Sequence, residues 1–182
     1  KASYRLALFL ANQEDDMRDV KEAAKFFKKA ADLGDAESIF NYAYMIDTAE
    51  GVPEDPKEAA SYYKKGAELE NPDCMYNYGI KLRTGQGVKK KNKKLAADYI
   101  KWAADDGHVE AMALYALLNF EGDGIPKNKE EAAYYYKMAA DNDNLESMIA
   151  YAQLIDKGSK KLKKDKYESA IYYKKAADKG DA

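Results

Sequence analysis

Apolar positions along the chain follow a helical rhythm that breaks off and restarts at regular intervals. Ile39, Tyr42, Ala43 and Ile46 lie at i, i+3, i+4 and i+7. That spacing puts them on one face of a helix, here called helix A, from Ala36 to about Asp47. A polar stretch through Gly51-Val52-Pro53 interrupts the pattern. Asp55 then caps a second helix, helix B. Pro56 stands at its first position, where a missing N–H is harmless, and Glu58 three residues after the cap completes a capping box. Helix B carries two adjacent apolar flanks, Ala59, Tyr62 and Gly66 beside Ala60, Tyr63 and Ala67. Two flanks suit a helix that touches both its own partner and the next pair along.

The same helix pair returns five times. Its small-residue pair falls at Ala30-Ala31, Gly66-Ala67, Ala103-Ala104, Ala139-Ala140 and Ala176-Ala177, and a bulky pair precedes it at Phe26-Phe27, Tyr62-Tyr63, Tyr99-Ile100, Tyr135-Tyr136 and Tyr172-Tyr173. The cap recurs as Asp19, Asp55, Asn92, Asn128 and Asp165, followed by Glu22, Glu58, Leu95, Glu131 and Glu168. Gly34, Gly107 and Gly180 mark left-handed ends of helix B, with Glu70 and Asp143 in that slot elsewhere. A period of this size marks an array in which each repeat buries its apolar face only against its neighbours. The predicted fold is an all-α, right-handed α-α superhelical solenoid of about five helix-loop-helix repeats, at 1–35, 36–71, 72–108, 109–144 and 145–181. Residues 1–182 read as a single array. Lys1 falls inside a repeat and Gly180-Asp181-Ala182 reads as the start of another, so a piece of a longer array is expected.

This pattern resembles Sel1-like repeats, a relative of tetratricopeptide repeats. The residues that carry the resemblance are Tyr76 to Gly79 (Tyr-x-Tyr-Gly), the loops Gly85-x-Gly87-Val88 and Gly122-x-Gly124-Ile125, and the aromatic-aromatic-x-Lys-small-Ala signature. The loop glycines fail in repeat 1 (Glu14-Asp15-Asp16) and repeat 5 (Gly158-Ser159-Lys160-Lys161), so those loops are expected to differ in shape. The resemblance implies an adaptor that presents extended surfaces to partner proteins. A secreted bacterial subgroup staples each repeat with a cysteine pair, a pattern absent here.

Composition narrows the chemistry. The net charge of -2 implies neither nucleic acid nor a membrane surface. Cys74 is the only cysteine, which excludes an internal disulfide framework and a cysteine-based zinc site. With no glycosylation sequon, no apolar run long enough to span a bilayer and no signal segment, a soluble, cytoplasmic setting is favoured. His108 is the only histidine, and it is expected to cap a helix, because no second ligand or catalytic partner has plausible spacing. Cys74 aligns with Ser38, Ala111 and Ser147 in a small packing slot and reads as inert. No catalytic residue, metal or cofactor is expected.

Three surfaces remain as candidates. On helix A, Tyr4, Leu8, Phe40, Asn41, Tyr44, Tyr76, Asn77, Ile80 and Leu117 fall on the face expected to line the inner curve, and suggest a peptide groove across repeats 1–3. The competing reading has Tyr4, Phe40 and Tyr76 packed on the neighbouring helix A. On helix B, Leu95, Trp102, Tyr134, Met138 and Ile171 form an expected convex patch on repeats 3–5, for a partner or for self-association. The third feature is two lysine-rich loops, Lys89-Lys90-Lys91-Asn92-Lys93-Lys94 and Lys160, Lys161, Lys163, Lys164 and Lys166. They offer the alternative function, nucleic-acid or anion binding, which neighbouring acids and the lack of interleaved aromatics disfavour. The expected function is a non-catalytic scaffold binding other proteins or peptides.

Overall fold

The computed structural model describes the backbone of residues 2–11 and 17–180 and the side chains of residues 2–11 and 20–180. Among these residues there are ten helices and no strand. The chain divides into two compact halves, Lys1–Asn92 and Lys93–Ala182. The first holds α1 (Ala2–Ala11), α2 (Met17–Asp32), α3 (Ala36–Thr48), α4 (Pro56–Glu68) and α5 (Pro72–Thr84). The second holds α6 (Lys93–Asp105), α7 (Val109–Glu121), α8 (Lys129–Asp141), α9 (Leu145–Lys157) and α10 (Lys166–Gly180). Odd-numbered helices are helix A of a repeat and even-numbered ones helix B. Within each half every helix packs against its neighbour in the chain, so the apolar seam follows chain order.

Each helix junction has a local cause. Asp35, Asn71 and Asn144 accept the backbone N–H of Ser38, Cys74 and Ser147, each at 2.9 Å, which starts α3, α5 and α9. The end of the preceding helix B is closed by a left-handed residue. Gly34, Glu70, Gly107 and Asp143 have φ of 88°, 60°, 95° and 67°. The next N–H then returns to the helix: Asp35 to Ala30 O, Asn71 to Gly66 O, His108 to Ala103 O and Asn144 to Ala139 O. Gly180 departs from the expectation. It is helical, as the last residue of α10, and the residue whose N–H would close the turn lies outside the described residues. The start of α2 also differs: it begins at Met17, so Asp19 lies within the helix rather than at its cap, and its side chain is outside the described residues.

The capping boxes are half present. Asp55 and Asn128 cap α4 and α8 as expected, and Asp165 accepts the N–H of Glu168 at 2.9 Å. The reciprocal bond from the glutamate does not form. The N–H it would take is already given to helix A: Asp55 to Ile46 O, Asn128 to Asn119 O and Asp165 to Ile155 O, at 2.8–3.0 Å. Closing the A–B loop thus frees Glu58 and Glu168 to turn towards the preceding repeat.

The buried seam is built from small residues and aromatics. Both flanks of helix B are buried in α4 and α8. In α10 the flank of Ser169, Tyr172 and Ala176 is buried, while Ala170, Tyr173 and Ala177 are exposed. Close approach of backbones decides the residue type in one slot. A Cβ on Gly66 would lie 2.2 Å from Cys74 Sγ, so the one repeat with cysteine in the small slot has glycine facing it. A second close approach lies at Gly124, whose Cβ would meet Lys93 O at 2.3 Å and whose φ is +83°. Repeat 5 has no glycine there. Ser159 instead donates to Glu130 Oε1 at 2.7 Å and so ties its loop to the start of α8. The expected difference in loop shape is therefore present in repeat 5; the repeat 1 loop lies outside the described residues.

Candidate functional site

In the first half the helix A candidates form a mixed apolar and amide face. Tyr44 is 46% exposed, and Tyr4, Leu8, Phe40, Tyr76 and Ile80 are half-buried. Phe40 lies 6.1 Å from Tyr44 and 6.4 Å from Tyr63, ring centre to ring centre, and Tyr4 lies 6.2 Å from Phe27. Tyr4 and Phe40 thus lean on the second aromatic of their own helix B, where the competing reading put a neighbouring helix A. Asn41 and Asn77 are half-buried beside them, and each donates to the carbonyl four residues back, Glu37 O and Asp73 O, at 2.8 Å. Leu117 belongs to α7, in the second half, where it lines a cavity described below.

The helix B candidates all belong to the second half. Trp102 is 49% exposed and Tyr134 61%; Ile171 is exposed, while Leu95 and Met138 are half-buried. In repeats 2 to 5 the slot of Trp102 has a tyrosine three residues earlier. Lys65 and Lys175 place their ammonium groups 4.7 Å from the ring centres of Tyr62 and Tyr172. Trp102 sets its ring edge-on to Tyr99 at 5.0 Å. One stacking site therefore takes a cation in repeats 2 and 5 and an indole in repeat 3.

A polar latch between consecutive helices B escaped the sequence reading. Lys28 Nζ donates to Glu58 Oε1 at 2.7 Å and to Tyr62 Oη at 2.9 Å, and Tyr62 Oη donates to Asp32 Oδ1 at 2.6 Å. In repeats 4 and 5 the parts recur: Lys137 donates to Glu168 and Tyr172, and Tyr172 donates to Asp141. Tyr135 donates to Asp105, which also pairs with Lys101. A tyrosine of helix A closes each cluster edge-on, with ring centres 4.9 Å apart for Tyr42–Tyr62, 4.7 Å for Tyr115–Tyr135 and 4.8 Å for Tyr151–Tyr172. Burial, and then the Asp105 hydrogen bond, raises the Tyr135 phenol to about 12. Burial disfavours the Lys28 and Lys137 ammonium groups, yet their hydrogen bonds outweigh it and hold them charged beyond the usual lysine range. Lysine four residues before aspartate on one helix B, with glutamate and tyrosine about 30–35 residues on, was the available signal.

The remaining candidates carry little chemistry. His108 Nδ1 accepts the N–H of Ala111 at 3.1 Å, so it caps α7 as expected. Cys74 is fully buried, and burial pushes its thiol up to about 12, far from a reactive thiolate. Lys89, Lys90, Lys91, Lys94, Lys160, Lys161, Lys163, Lys164 and Lys166 are exposed, whereas Lys93 pairs with Asp123 at 2.5 Å. Among the described residues no cluster of three or more histidine, cysteine or acidic side chains is placed to hold a metal. No helix among them is long and apolar enough to cross a membrane.

Two equivalent slots between successive helices A are filled differently. In the first half Lys81, only 4% exposed, pairs with Asp47 and also donates to Gln86 Oε1 at 3.0 Å. The hydroxyl of Tyr63 is sealed nearby without a hydrogen-bond partner. In the second half the positions of Asp47 and Lys81 are taken by Phe120 and Leu154. There a cavity of about 320 Å3 opens, lined by Leu117, Phe120, Tyr136, Ala150 and Leu154, with Glu121, Lys129, Gln153 and Lys157 at its edge.

Solved structures place this geometry among known folds. A protective antigen of uropathogenic Escherichia coli with an SLR fold is similar over 98% of the chain, with a TM-score of 0.92 and 23% identity; the chain spans 38% of that protein. A Sel1 repeat protein from Oxalobacter formigenes is similar over 96% of the chain, with a TM-score of 0.79 and 26% identity, and is covered over 69% of its own length. Cysteine-rich protein B of Helicobacter pylori is similar over 73% of the chain and covered over 95%, with a TM-score of 0.58 and 19% identity. No curated protein matches the chain in sequence. The fold is an all-α helical repeat solenoid of about five repeats. The Sel1 repeat model matches residues 1–35, 36–71, 72–108, 109–144 and 145–181, and the chain belongs to the Sel1 repeat family, whose members generally serve as protein-interaction scaffolds.

Proposed function

We propose that this chain is a non-catalytic scaffold that binds a partner protein along the helix A face of repeats 1–3. One observation carries the reading. Tyr44 stands half out of the surface on the ring of Phe40, and the apolar side chains of Tyr76 and Ile80 and the amides of Asn41 and Asn77 share its face of helix A. Aromatic side chains with a polar tip, set beside amides, suit a surface that alternates between water and a partner. Replacing Tyr44→Ala together with Ile80→Ala removes two large side chains that are not part of the buried seam. The double variant should keep its helical circular dichroism and lose partner or peptide binding by at least tenfold. Unchanged affinity would rule the face out.

A second contact rests on a separate observation. Trp102 occupies with an indole a stacking site that lysine fills in repeats 2 and 5, and Tyr134 and Ile171 are exposed on the neighbouring helices B. Trp102→Lys restores the charged form of that site with little effect on folding. Loss of self-association or of partner binding in this variant supports a contact there, and retention of both removes it.

A further inference from the structure

The slot between α7 and α9 differs from its counterpart in the first half in ways that name a ligand. Lys81 and Asp47 fill that counterpart with their own opposite charges, under the sealed hydroxyl of Tyr63. Here Phe120 and Leu154 leave an apolar hollow of about 320 Å3, enough for one large aliphatic or aromatic side chain. Tyr136, the equivalent of Tyr63, is 8% exposed. Its hydroxyl makes no hydrogen bond among the described residues and, unlike that of Tyr63, is not sealed, and Tyr136 lines the hollow. A phenol with no protein acceptor is free to donate to an incoming one. Lys129 and Lys157 stand exposed at the edge, and neither forms an ion pair among the described residues. Two unpaired ammonium groups and a phenol donor outweigh the one carboxylate present, Glu121.

We propose that this hollow is a docking site for a segment of a partner protein that presents an aspartate or glutamate within two residues of a large apolar side chain. The apolar side chain enters between Leu117, Ala150 and Leu154, and the carboxylate accepts from Tyr136 and from Lys129 or Lys157. The inference rests on the reading of the chain as a protein-binding scaffold, but it concerns other residues than the Tyr44 face. Ala150 gives a clean test, because repeat 4 carries leucine at the equivalent position, Leu114, so Ala150→Leu fills the hollow with a residue this fold already accepts.

The experiment is selection of random heptapeptides, displayed with both ends blocked by flanking sequence so that only side-chain carboxylates are offered. Baits are the full chain, Ala150→Leu, Lys129→Gln/Lys157→Gln and Tyr44→Ala/Ile80→Ala, each checked by circular dichroism. Heptapeptides enriched on the full chain should pair an acidic residue with leucine, methionine or an aromatic. They should lose roughly tenfold or more in affinity on the first two variants, as expected for loss of a charge-assisted hydrogen bond or of the hollow itself, and bind Tyr44→Ala/Ile80→Ala unchanged. Enrichment without that pairing, enrichment that survives both cavity variants, or no enrichment at all overturns the inference. Peptides lost only on Tyr44→Ala/Ile80→Ala overturn it too, while leaving the scaffold reading intact.

Discussion

Helix α7 begins on a ring nitrogen, because His108 Nδ1 does for Ala111 what side-chain oxygens of Asp35, Asn71 and Asn144 do elsewhere. His108→Asn should leave stability within a few tenths of a kcal/mol, and His108→Ala should cost about 1 kcal/mol in urea denaturation. At Lys81 the same scale gives a sharper outcome. Removing one member of a buried ion pair costs roughly 3–5 kcal/mol, whereas replacing both with apolar side chains of fitting shape is near neutral. Lys81→Leu alone should therefore destabilise strongly, and Lys81→Leu/Asp47→Phe, which copies the pair Leu154 and Phe120, should recover most of the loss. Additive losses in thermal unfolding would show that the two slots are not equivalent.

At the scale of elements, the spacing of apolar residues was enough to place the helices, because each apolar stripe is bounded by a cap and a turn of known chemistry. Helix α3 ends at Thr48 against an expected end near Asp47. What could not be read was which partner a side chain chooses. Glu58 looked like the second half of a capping box, and only the loop bond from Asp55 N to Ile46 O shows why it turns to Lys28 instead. Tyr44, Trp102 and Tyr134 are exposed, and such outward positions are legible because they follow from the 3.6-residue turn. The hollow between α7 and α9 was missed, because a cavity depends on the joint volume of side chains far apart in sequence. The A–B loops bear on the same scale. Gly124→Ala meets a backbone carbonyl at 2.3 Å and a left-handed φ, so it should lower the unfolding midpoint of the second half by several degrees, roughly 1–3 kcal/mol. An unchanged midpoint would mean that the loop simply moves aside.

For the molecule as a whole, the latches set its response to alkali. An unfolded tyrosine ionises near 10, while burial and hydrogen bonds raise Tyr135 and burial with the Glu168 charge raises Tyr151, each to about 12. A group that holds its proton more tightly when folded stabilises the fold below its unfolded value and loses that effect as pH climbs to the folded one. Stability should therefore be flat from neutrality to about pH 9, begin to fall as the buried Cys74 thiol is drawn to ionise, and fall more steeply between 10 and 12, with part of the tyrosinate absorbance appearing only as helicity is lost. Titration of every tyrosine before unfolding would refute the assignment. The latches also have a direction. In the latches of Lys28 and Lys137 the lysine belongs to the earlier helix B, and the glutamate and tyrosine it meets belong to the next. A residue inserted within a helix B would therefore swing its lysine off the next repeat, whereas the A–B loop absorbs one: repeat 5 is a residue longer there than repeat 4 and still receives Lys137.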